Sequence, residues 1–86
     1  MDDIAYLLVA VNDQGTLAHY DYSFEFAETT RKLAEEFENT DTYMGHTFKI
    51  FEVEIPNPDT TDLDFYFEQN VIVINAEETA LYERSV

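Results

Sequence analysis

The chain opens on an uninterrupted apolar run, Ile4-Ala5-Tyr6-Leu7-Leu8-Val9-Ala10-Val11. A strand made from it is apolar on both faces, which predicts a central strand covered on both sides. Asn12-Asp13-Gln14-Gly15 follows, with Gly where a positive φ is needed, and suits a type I turn closed by a Gly bulge. Thr16 to Tyr22 then returns as an antiparallel strand to complete a hairpin. Ser23 is placed to cap a helix. From Phe24 to Glu38, the residues Phe26, Ala27, Thr30, Leu33, Ala34 and Phe37 fall on one helical face. Glu25, Glu28, Lys32, Glu35 and Glu36 fall on the other, so the segment predicts an amphipathic helix of about four turns that ends at Asn39-Thr40-Asp41.

The second half changes period. From His46 to Ile55, Phe51, Val53 and Ile55 alternate with Glu52 and Glu54, which predicts a third strand with acids outward. Pro56-Asn57-Pro58-Asp59 stops it, because Pro cannot donate to a ladder. Asp59 to Asp64 reads as a loop, and Phe65-Tyr66-Phe67 and Val71-Ile72-Val73-Ile74 as two short strands. Asn75-Ala76-Glu77-Glu78 has capping-box spacing and predicts a last helical turn through Tyr82, with a C-terminal strand as the alternative. The expected architecture is α+β: a mainly antiparallel sheet of about four to five strands with one amphipathic helix packed on one face. The other face is then open to water, a second subunit or a target. Residues 1–86 are expected to form a single domain.

Composition narrows the class. Of 86 residues, 45% are hydrophobic and thirteen are aromatic (seven Phe, six Tyr), enough for a core and too many for an acidic disordered tail. There is no Cys, so thiol catalysis, zinc fingers and disulfides are excluded, in keeping with a cytoplasmic location. Met1-Asp2-Asp3 is acidic where a signal peptide is basic. The longest apolar run, eight residues, cannot span a bilayer.

Charge changes the picture most. Nineteen acidic residues face four basic ones, for a net charge of -15. Such self-repulsion opposes the compact state. Duplex DNA carries one negative charge per roughly 1.7 Å, so fifteen charges match about 25 Å of duplex. A domain of this length has a radius of gyration near ~12 Å, so its charge density rivals that of nucleic acid. An anionic surface disfavours direct nucleic-acid binding and anionic membranes. It points instead to a basic, nucleic-acid-binding protein as partner, for which the chain is a decoy. The candidate partner-binding residues are Glu25, Glu28, Glu35 and Glu36 on the helix, Glu52 and Glu54 on the third strand, and Asp59, Asp62, Asp64 and Glu68 beyond it. Glu52 and Glu54 should lie about 7 Å apart, like successive phosphates of one strand.

Catalytic and metal patterns are weak. His19 and His46 lie in different strand-like segments, and no spacing joins either to Ser23 and a carboxylate as a nucleophilic set. Paired carboxylates carry no specificity among nineteen acids. No P-loop is present. Asp59, Asp62 and Asp64 cluster as a weak calcium loop would, but the EF-hand spacing is missing. The expectation is no catalytic activity, no cofactor and no metal.

In its size, its charge, its lack of Cys and its acid-out strand Phe51-Glu52-Val53-Glu54-Ile55, the chain resembles the small acidic proteins that phages make to disarm host defences. These include DNA-mimic inhibitors of restriction enzymes, CRISPR effectors and repair glycosylases. The resemblance implies binding to a basic nucleic-acid channel of a host protein in the host cytoplasm, and in many such proteins a homodimer. It brings no alignable motif, so no site residue is carried over. Two further readings stand beside it. One is an interaction module that uses Tyr20, Tyr22, Phe65, Tyr66 and Phe67; the other is an ordinary halophile-type acidic domain.

Overall fold

The computed structural model describes residues 3–38 and 43–85, apart from the side chain of Phe37. The predicted helix stop at Asn39-Thr40-Asp41 lies outside the described residues. Strands β1 (Asp3–Val11) and β2 (Leu17–Ser23) are followed by helix α1 (Phe26–Phe37), strand β3 (Thr47–Ile55), helix α2 (Leu63–Glu77) and strand β4 (Tyr82–Ser85). The four strands form one sheet in the order β2-β1-β3-β4, with every neighbouring pair antiparallel. The molecule is elongated, 40 × 24 × 20 Å, with a radius of gyration of 12.7 Å.

β1 is central, as its apolar run requires. Leu7, Leu8, Val9 and Ala10 are all buried, because each sheet face carries a helix. On one face Leu8 and Ala10 join Phe48 and Ile50 under Leu33 of α1. On the other, Ala5, Leu7, Val9, Phe51, Val53 and Ile55 pack with Phe67, Val71 and Ile74 of α2. The turn matches its chemistry. Gly15 has φ 82°, its N–H donates to the Asn12 carbonyl at 3.0 Å, and Asn12 Oδ1 accepts from the N–H groups of Gln14 and Thr16. The register shift lies opposite, between Ala10 and Val11.

Several expectations are corrected. The α+β class and the antiparallel sheet hold, but the segments read as strands at Phe65–Phe67 and Val71–Ile74 are one continuous helix, α2, and the second sheet face is covered rather than open. Asp62 begins the helix, its carboxylate accepting from Phe65 N–H at 3.3 Å. No Gly or Pro interrupts residues 63–77, so the helix runs through. Asn75 to Glu77 form its last turn, and the C-terminal strand is the alternative that is found. On α1, Ala27 and Ala34 are exposed, not buried, and the packed face is centred on Thr29 and Leu33. The residue preceding α1 is Glu25, whose N–H is accepted by Ser23 Oγ at 3.2 Å.

Candidate functional site

The acids fall into two groups, according to what surrounds them. On α1 they are largely compensated. Arg31 lies between Glu28 and Glu35, one turn away on either side, and hydrogen-bonds both. The guanidinium holds the Glu28 carboxyl below the usual carboxylate range. Glu36 sits 3.7 Å from His19 Nε2 and accepts from Tyr43. Burial first, and then this carboxylate, push the Tyr43 hydroxyl upward. Lys32 was expected to point to water with Glu28. Instead it reaches back to the sheet, 3.2 Å from Asp21 and 3.3 Å from the Tyr22 carbonyl. It thereby ties α1 to the outer edge of β2.

The second group is spread over both faces of the sheet: Glu25 precedes α1, Glu52 and Glu54 lie on the α1 face, and the others lie before and on α2. Glu25, Glu52, Asp59, Asp62, Asp64 and Glu68 are exposed and make no ion pair with a described Lys or Arg. Glu54 is exposed on the same sheet face as Glu52. Asp62 and Asp64 open α2, where the helix dipole favours carboxylates. Asp64 accepts a hydrogen bond from the Tyr22 hydroxyl at 2.7 Å. That bond, with partial burial and the neighbouring charges of Asp64, Asp62 and Asp21, pushes the Tyr22 hydroxyl up to about 12.

Of the ten candidate residues, Glu28, Glu35 and Glu36 are therefore engaged by cationic or hydrogen-bonding neighbours on α1. The remaining seven make up a dispersed acidic surface, at the start of α1, on β3 and around the start of α2. It has no single centre. A groove of about 440 Å³ lies between β3 and α2, lined by Glu52, Val53, Glu54, Tyr66, Asn70, Val73, Ile74 and Glu78. Glu78 and Val73 line this groove and were missed from sequence, because residues 71–74 read as a strand and 75–78 as the start of a separate helical turn. α2 also exposes Phe65 (60%), Ile72 (69%) and Val73 (51%), an apolar stripe that Val73 joins to the groove.

Catalytic and metal arrangements find little support in the geometry. His19 and Ser23 lie on β2 four residues apart, about 13 Å along the strand, too far for proton transfer. His46 Nδ1 is 3.4 Å from the Met44 carbonyl. Among the described residues no three His, Asp or Glu side chains converge as a metal shell would need, and Asp62 and Asp64 already accept from Phe65 N–H and Tyr22. No described helix is long and apolar enough to cross a membrane. No protein-family model, curated protein or solved structure matches the chain.

Proposed function

We propose that this protein is an acidic inhibitor of the DNA-mimic type. It occupies the basic nucleic-acid site of a host defence or DNA-processing protein, such as a restriction, CRISPR or repair enzyme, and keeps the substrate out. The observation that carries this reading is the surplus of exposed acids that no described cation engages. Both cations of α1, Arg31 and Lys32, are spent on acids of α1 and β2, while Glu25, Glu52, Asp59, Asp62, Asp64 and Glu68 face solvent without one. A duplex as long as the molecule's 40 Å axis carries about 24 charges. The net charge of -15 is about 0.6 of that. A basic channel evolved for phosphates would meet comparable potential and rigid spacing here. The action is steric and electrostatic, with no catalytic step and no cofactor, and a homodimer would lengthen the charged surface.

Electrostatic steering makes such an association fast and strongly salt-dependent. The test is capture of partners from bacterial lysate on the immobilised protein, washed at about 0.1 M and then about 0.5 M salt, where screening lengths differ about twofold. A single nucleic-acid-handling protein that added DNA displaces supports the reading. A mixture of basic proteins that all leave at high salt refutes it. The apolar stripe of α2 favours a second reading, an interaction module whose contact is made by Phe65, Ile72 and Val73. Its partner would survive the high-salt wash and ignore DNA.

A further inference from the structure

Among the described residues, β3 is paired on its outer side over only part of its length. β4 pairs only with Thr47 to Ile50 of β3, and the Leu81 N–H closes that ladder on the Ile50 carbonyl at 2.7 Å. Alternate residues of a strand turn their N–H and C=O to the same side, so those of Glu52, two residues past Ile50, point to the edge that β4 has left. The opposite edge confirms the alternation: the Tyr22 carbonyl, across from Leu7 on β1, faces outward and accepts from Lys32. The open edge borders the 440 Å³ groove under α2.

We propose that this edge receives an extended basic segment of the partner protein, added to the sheet as a further strand beside Phe51–Ile55. The inference deepens the inhibitor reading and rests on it for the identity of the partner. Its physical basis is the two-residue period of strands. Val53 lies on the α2 side of the sheet with Val73 and Ile74, whereas Glu52 and Glu54 lie on the other side. An added strand therefore sets every second side chain against Val53, Val73 and Ile74, and the intervening ones beside Glu52 and Glu54. The segment that fits alternates apolar and cationic residues. Main-chain bonds to Glu52 supply register, and the pockets supply selectivity, as in strand addition generally. The acids also exclude a second copy of this chain, whose own acidic strand would be repelled.

The probe is a capped peptide of about nine alternating Lys and Val residues, long enough to run the open edge, followed by amide NMR of the full-length protein. The expected result is saturable shifts confined to residues 51–55 and 70–78, with slowed solvent exchange at the Glu52 N–H. N-methylating alternate peptide nitrogens, which removes the strand donors, should weaken binding at least about tenfold. Val73→Lys, a half-exposed helix position, should do the same, and Ile72→Lys on the outer stripe should not. Equal binding of the methylated peptide, or shifts scattered to Asp21, Asp62 and Asp64, overturns the proposal. The two readings fail separately. Peptide binding in the groove alongside a partner indifferent to DNA leaves strand addition standing and removes the inhibitor. A DNA-displaced partner that binds Val73→Lys unchanged does the reverse.

Discussion

Replacing Tyr22 by Phe removes one hydroxyl and leaves the ring, which stacks on Phe67 with centroids 4.7 Å apart. The hydroxyl donates to Asp64 at 2.7 Å and so tethers the start of α2 to β2. Its rise from 10.0 to about 12 corresponds to ~2.7 kcal/mol of preference for the protonated form. Tyr22 is only half-buried and Asp64 is exposed, so solvent screening lowers the effective contribution to about 1 kcal/mol. The sign is fixed by the direction of the shift. Below pH 10 the hydroxyl is protonated in both folded and unfolded chains, and the stabilisation is complete. The unfolded Tyr ionises near 10 and the folded one near 12, so the contribution disappears as pH rises through that interval. Tyr22→Phe should lower Tm by roughly 4–8 °C at neutral pH and by progressively less above pH 10. Tyrosinate absorbance of the two proteins, subtracted, should show a single group ionising near 12. A difference spectrum that titrates near 10, with matching Tm values, would refute the tether.

Phe67→Ala should cost about 3–5 kcal/mol in urea denaturation, because the ring is fully buried between α2 and the sheet; a cost under about 1 kcal/mol would mean that α2 does not cover the sheet. Adding salt from about 0.02 to 0.2 M should raise Tm, since screening relieves the self-repulsion of fifteen uncompensated charges. A fall in Tm would show that the ion pairs of α1 outweigh it. Glu52→Lys with Glu54→Lys should leave the circular dichroism spectrum unchanged and weaken partner association about tenfold or more at low salt, mainly in the association rate. Unchanged affinity would remove β3 from the contact.

The parts of the fold with one dominant period were legible in sequence. The run Ile4–Val11 could only be a strand buried on both faces, Gly15 could only close a turn, and the alternation at Phe51–Ile55 fixed which residues of β3 face outward. α2 was not legible, for a physical reason. Its β-branched and aromatic residues favour strands, and apolar residues lie all round it, Phe65, Ile72 and Val73 outside as well as Phe67, Val71 and Ile74 inside. With no polar face, the helical period is blurred. The spacing Leu63, Phe67, Val71, Ile74 and the cap at Asp62 were the signals that could have revealed it. The acidic surface was legible as composition but not as placement. Which carboxylates Arg31 engages depends on helix phase, and the inward reach of Lys32 depends on where α1 lies across β2.

β1 has a second consequence, for the chain before it is folded. A segment that both helices must cover in the finished molecule has neither of them when it is first synthesised. Eight apolar residues with high strand propensity and no charge are a template for intermolecular pairing. The hairpin with β2 can form locally within microseconds, but β3 is 36 residues further on, counted from Val11 to Thr47, and α2 further still. The acids Asp2, Asp3 and Asp13 flank the run as gatekeepers, and the negative charge of the whole chain keeps unfinished copies apart. The same charge that opposes compaction therefore protects the central strand from its own kind until the two helices close over it.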